Sequence, residues 1–145
     1  MGDGDFREMM IRLAKDLGVD DRLVITGRQE SRSIPDLLSA MDIFLFTSKF
    51  EGLPISILEA MAAKRLIVST DVDSIPDVII DGKTGWLFHP GDHEKAASII
   101  KNINDKKSSY EYISDNAFEL IGSKYSPASK MSENFKNVYN KVLNI

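Results

Sequence analysis

Short apolar runs alternate along the chain with longer stretches whose apolar residues recur at helical spacing. That alternation predicts an α/β fold with a parallel sheet. Phe6, Met9, Met10, Leu13, Ala14 and Leu17 predict a helix over Phe6 to Leu17, with Gly18 as its stop. Leu23 to Thr26 reads as a buried strand ended by Gly27. Ile34 to Met41 reads as a short helix with Pro35 in its first turn, and Ile43 to Phe46 as a second strand. A helix over Pro54 to Ala63 is expected to bury a stripe of Ile55, Leu58 and Ala62, with Glu59 beside it. Leu66 to Ser69 reads as a third strand, Ile75 to Ile80 as one helical turn before an Asp81-Gly82 turn, and Trp86 to Phe88 as a short strand. Asp92 caps a predicted helix running to Ile103. Ser108 to Gly122 and Pro127 to Leu143 read as two amphipathic helices.

Length and composition narrow the function classes. With 145 residues the chain is long enough for one domain with a real core, and 43% hydrophobic and 28% charged residues are ordinary globular values. A net charge of −4 argues against duplex nucleic acid, which demands a basic face, but leaves room for a small phosphorylated ligand at local basic spots. The absence of cysteine excludes a disulfide framework and a thiolate metal site, and fits a cytoplasmic protein. The opening MGDGDFREMM has no signal-peptide character, and no apolar run reaches membrane-spanning length. Gly2-Asp3-Gly4 running straight into a helix resembles the end of a strand-turn-helix unit whose strand would precede it. The chain therefore reads as a piece of a larger domain.

The richest candidate chemistry lies in Thr47-Ser48-Lys49-Phe50-Glu51-Gly52-Leu53-Pro54, between a predicted strand and a predicted helix. Ligands of parallel sheets bind at the carboxyl ends of strands, and a helix start offers unpaired N–H groups to an anion. Gly52 carries no side chain to obstruct a phosphate. Glu51 and Glu59 are unsuited to holding phosphate but well suited to accepting hydrogen bonds from pairs of sugar hydroxyls. Together these features suggest a ligand with sugar and diphosphate parts. The competing reading is that Glu51 complements the helix dipole and Glu59 is merely solvated.

The ordered motifs around this segment resemble glycosyltransferase family 4, retaining enzymes of the GT-B fold with two Rossmann-like domains. The family setting S-x-x-E-G-x-P-x-x-x-x-E-A-M-A stands here as Ser48, Glu51, Gly52, Pro54, Glu59, Ala60, Met61 and Ala62. Its G-x-P-V-V step stands as Ala63 to Val68 without the glycine and proline. Its G-G-x-x-E-x-I stretch stands as Asp73 to Ile79 without the glycine pair and glutamate. Gly82, Gly85 and Leu87 match G-x-x-G-x-L, Gly2-Asp3-Gly4 resembles an upstream G-D-G, and Val24 to Gly27 resembles V-x-F-x-G.

The resemblance implies a truncated C-terminal, donor-binding domain of a GT-B enzyme, lacking its first strands and the N-terminal acceptor domain. It implies that Glu51, the catalytic-site carboxylate, contacts hydroxyls of the donor sugar and that Glu59 holds the nucleotide ribose. Backbone N–H groups around Gly52, Leu53 and Pro54 would meet the diphosphate, and the turn at Gly27 and Arg28 would lie against the base. For that turn an ordinary surface role stands equally open. For Ser48, a loop support by the resemblance, the alternative is a local turn hydrogen bond. The implied donor is a UDP- or GDP-sugar, with no metal. Further expected partners are an unassigned acceptor such as a polysaccharide or lipid precursor, the N-terminal domain, and a membrane at the periphery of the full-length enzyme.

The arginine and lysine that stabilise the leaving diphosphate in this family would precede Gly2, so the 145-residue chain is expected to be inactive alone. With the first strands lacking, the chain is expected either to dimerise through exposed sheet edges or to pair the strands at Leu23 and Ile43 directly. The alternative function is a non-catalytic Rossmann-like nucleotide-binding or structural module. A dehydrogenase reading is disfavoured because Gly2-x-Gly4 lacks the third glycine of the dinucleotide fingerprint. His89 and His93 are separated by Pro90 and Gly91 and do not share a helical face. Asp71, Asp73 and Asp77 suggest either a cation site or, the favoured reading, residues that cap and solvate a loop. Trp86 is expected to plug a core edge in preference to stacking on a sugar.

Overall fold

In the computed structural model, residues 4, 6–52 and 54–124 are described. Gly2 and Asp3, Leu53, and the helix expected over Pro127 to Leu143 lie outside them. The chain divides into two compact units, Met1–Leu37 and Leu38–Ile145.

In the first unit, α1 (Arg7–Asp16) ends where its periodicity does. Leu17 is its C-cap, and Gly18 follows at φ +66°, a conformation glycine adopts without a Cβ penalty. Residues 23–26 form no strand, contrary to the expectation. Val24 is 81% exposed, and the segment is in no ladder of the sheet. Apolar β-branched residues favour extended backbone, but a strand exists only where a neighbour supplies its hydrogen bonds.

The second unit holds the sheet. Three parallel strands, β1 (Ile43–Phe46), β2 (Leu66–Thr70) and β3 (Trp86–Phe88), lie in the order β1-β2-β3. Ile43 pairs with Leu66 and Val68 with Trp86. The expected direct pairing of Leu23 to Thr26 with Ile43 to Phe46 is therefore not made, and the outer edge of β1 has no partner among the described residues. The central β2 is buried along its whole length, its apolar Leu66, Ile67 and Val68 followed by buried Ser69 and Thr70, as expected of a strand covered on both faces.

Helix α2 (Ile34–Ser39) precedes β1, α3 (Ile55–Ala62) links β1 to β2, and α4 (Ile75–Val78) follows β2. Helices α5 (His93–Asp105) and α6 (Glu111–Lys124) follow β3. Asp92 caps α5 as expected, its Oδ1 accepting the Lys95 N–H at 2.9 Å. Ala96, Ile99 and Ile103 of α5 pack with Leu66, Val68, Phe88 and Ile113, and Trp86 lies at the edge of this cluster. The Trp86 ring meets Tyr110 edge-on at 5.2 Å, which gives it the core-edge role. Asp42, just before β1, is bonded to Lys107, whose hydrogen bond and charge hold its carboxyl below the usual carboxylate range.

The phase of α3 differs from the expected one. Ile57, Ala60 and Met61 are fully buried, whereas Ile55 is 69% exposed, Ala62 is exposed and Leu58 is half-buried. Both stripes have helical spacing in ISILEAMA, where nearly every residue is apolar. Periodicity alone therefore does not select the face; packing against β2 and α6 does.

Two glycines of the Gly82–Leu87 stretch have separate causes. Gly82 sits at φ +70° in the turn. Gly85 is needed for space, since a Cβ there would come within 3.0 Å of the Ile67 carbonyl oxygen and of Ile79 Cγ2. The stretch is tied off by the Gly82 N–H donating to the Gly85 carbonyl at 2.8 Å and the Leu87 N–H donating to Asp81 Oδ1 at 2.9 Å.

Candidate functional site

Because the strands are parallel, the loops after β1 and β2 emerge at the same sheet edge, the carboxyl edge where open α/β sheets bind ligands. The loop after β1 is fastened to the loop after β2 at three points. Thr70 Oγ1, buried at the end of β2, donates to the Ser48 carbonyl at 2.7 Å. The Glu51 N–H donates to Asp73 Oδ2 at 2.7 Å, and Ser74 Oγ donates to the Gly52 carbonyl. Ser48 Oγ donates to the Phe50 carbonyl at 3.1 Å, the local turn bond that was one of its two readings. These contacts hold the backbone in shape and leave Phe50 84% exposed.

Pro54 is the N-cap of α3 and is buried, and no side chain caps this helix. As an imino acid it has no N–H, so the expected role of Pro54 as a backbone donor is corrected. The Ile57 N–H already bonds to the Pro54 carbonyl at 3.0 Å. That leaves the N–H groups of Ile55 and Ser56 as the helix-start donors without an intrahelical acceptor. Gly52 is exposed, and a Cβ built on it would meet nothing within 4 Å. No protein contact therefore requires glycine there. Glu51 is half-buried in the loop, and Glu59 is exposed in the second turn of α3. Neither carboxylate is in an ion pair among the described residues.

Gly27 and Arg28 belong to the first unit. Gly27 turns the chain at φ +66°, and Gln29 Nε2 donates to the Thr26 carbonyl at 2.6 Å across the turn. Arg28 is exposed and engaged in an interaction of its own. Leu53 lies outside the described residues. His93 opens α5, while His89 Nδ1 lies 3.0 Å from the Pro90 carbonyl.

Sequence reasoning passed over Thr70, Asp73 and Ser74 as fasteners of the loop. It left the Asp71, Asp73, Asp77 cluster to capping and solvation, yet Asp73 reaches the Glu51 N–H, 22 residues away in sequence. The available signal was that Asp73 and Ser74 stand where the resembled motif carries two glycines.

The family described as glycosyl transferases group 1 matches residues 1–120. The chain is 30% identical over 141 residues to alpha-D-kanosaminyltransferase of Streptomyces kanamyceticus, covering 97% of this chain and 36% of that protein. It is 29% identical over 147 residues to N-acetyl-alpha-D-glucosaminyl L-malate synthase of Bacillus anthracis, covering 99% and 37%. The chain thus spans about a third of the length of these curated relatives, 36% and 37%. Among solved structures it resembles the C-terminal domain of a glycosyl transferase group 1 family protein from Francisella tularensis, with a TM-score of 0.76, 28% identity, and coverage of 84% of this chain and 63% of that one. The fold is also that of an Anabaena protein solved with UDP and glucose, at a TM-score of 0.84, 22% identity, and coverage of 92% and 37%.

Proposed function

This chain belongs to the glycosyl transferases group 1 family, and from that premise we propose that the loop after β1 and the start of α3 bind a nucleoside diphosphate sugar. The observation that carries this reading is the open Gly52 position, beside a helix start with no side-chain cap and between two carboxylates. The N–H groups of Ile55 and Ser56, with the positive end of the α3 dipole, receive diphosphate oxygens. Glu51 accepts hydrogen bonds from the donor-sugar hydroxyls, and Glu59 from the ribose. Gly27 and Arg28 lie against the base. The solved relative that carries UDP and glucose supports this class of ligand.

In the full-length enzyme the sugar passes to an acceptor such as a polysaccharide or lipid precursor with retention of anomeric configuration, as in glycosyltransferase family 4. The helix dipole and basic residues neutralise the diphosphate, so donor binding needs no divalent metal. Pairing of two chains through the outer edge of β1 belongs to the same proposal; light scattering returning the mass of one chain removes it.

Saturation-transfer NMR with UDP, GDP and their nucleosides tests the donor site. Selective binding of one diphosphate, lost in Glu59→Ala, supports it. Absence of binding to every nucleotide leaves a non-catalytic structural module instead.

A further inference from the structure

We propose that Asp73 acts as an internal competitor for the diphosphate and so sets how tightly this chain takes its donor. The inference rests on the donor-site reading above. The Glu51 N–H lies in the loop read as the diphosphate cradle, and it is already taken. Asp73 Oδ2 accepts from it at 2.7 Å, the length of a charge-assisted hydrogen bond. A backbone N–H that a carboxylate oxygen reaches from the neighbouring loop is one that a phosphate oxygen reaches from the same side. The carboxylate is exposed, so its charge faces the solvent through which the ligand arrives. An incoming diphosphate meets both a filled donor and a negative charge.

The three fasteners of the loop differ in kind. Thr70 and Ser74 donate to the carbonyls of Ser48 and Gly52, groups that a phosphate cannot use. Asp73 alone accepts, and it takes an N–H that a phosphate can use. When Asp73 is displaced, Thr70 and Ser74 still hold the loop in shape. The backbone makes the same distinction. Asp73 sits at φ +46°, a region in which aspartate is tolerated and glycine is at ease. Removing its side chain therefore does not disturb the fold through the backbone.

The test compares the 145-residue chain with Asp73→Gly and Asp73→Asn, titrated calorimetrically with UDP, GDP, uridine and guanosine, and with thermal unfolding to verify folding. Asp73→Gly should bind the preferred diphosphate about tenfold more tightly, the scale of one charge-assisted hydrogen bond no longer displaced. Asp73→Asn, which keeps an acceptor but loses the charge, should fall between, and nucleoside affinity should stay the same in all three. If the natural chain binds a diphosphate and both folded variants bind it equally or more weakly, Asp73 is a brace and the proposal fails while the donor site stands. If neither the natural chain nor the variants bind any diphosphate, the donor-site reading falls and this inference falls with it.

Discussion

Gly52 and Gly85 both sit in glycine-bearing motifs of the same chain, yet they are glycine for opposite reasons. A Cβ at Gly85 would stand 3.0 Å from the Ile67 carbonyl oxygen of β2 and from Ile79 Cγ2, so the fold crowds a side chain there. A Cβ at Gly52 would meet nothing within 4 Å, so the fold is indifferent. A glycine demanded by packing marks the core. One that packing does not demand, in a fastened loop at the carboxyl edge of the sheet, leaves the space that the proposed donor site uses.

Four experiments test this contrast. The largest effect on stability is expected on the packing side. Gly85→Ala should destabilise the chain by about 1–3 kcal/mol, because the added methyl presses on the Ile67 carbonyl and on Ile79. Chemical denaturation reads it, and unchanged stability would mean that the crowding at Gly85 is not real. On the ligand side, Glu59→Ala should leave stability within about 0.5 kcal/mol, since the residue is exposed and removed from the core. It should nevertheless weaken nucleoside diphosphate binding by about 1.5–3 kcal/mol through loss of hydrogen bonds to a charged acceptor. Gly52→Ala is the direct counterpart of Gly85→Ala. Its melting temperature should match the natural chain while its diphosphate affinity drops several-fold, roughly 1 kcal/mol, by obstruction. A lowered melting temperature there would erase the comparison. The smallest effect is reserved for metal removal: excess EDTA should leave nucleotide affinity unchanged by calorimetry, and a loss would bring a cation into the donor site.

The helix between the two glycine sites shows how replaced glycines are accommodated. Lys64 stands at φ +54° after α3, where the resembled motif has glycine. The Lys64 N–H bonds to the Met61 carbonyl at 3.0 Å and the Arg65 N–H to the Ala60 carbonyl at 2.9 Å, the paired bonds of a Schellman ending. A lysine in this conformation carries a steric cost. Its ammonium reaches Asp115 at 2.7 Å and lies 5.0 Å from the Phe118 ring centroid, which ties the end of α3 to α6. The same departure at Asp73 puts a carboxylate on the Glu51 N–H. At Lys64 the new side chain serves the fold; at Asp73 it reaches the proposed donor site.

Much of the second unit was legible in advance. Strands β1 and β3 match their predicted limits, β2 gains only Thr70, and Asp92 caps α5 as expected. These elements carry strong local signals, namely short apolar runs and a capping aspartate. The proposed site residues Glu51, Gly52 and Glu59 were legible as a motif, but the fastening of their loop by Thr70, Asp73 and Ser74 was not, because it joins residues 22 positions apart.

The class and order of the elements, and the loop that carries the candidate chemistry, follow from local signals in the sequence. Hydrophobic period, capping and motif spacing are local properties, each readable within a dozen residues. Only the tertiary structure decided which face of α3 is buried, that residues 23–26 form no strand, and that Asp73 holds the Glu51 N–H. Each of these depends on a neighbour remote in sequence. A uniformly apolar helix takes its phase from what it packs against, a strand exists only with a partner for its backbone, and a loop donor is free or filled according to what the next loop brings to it.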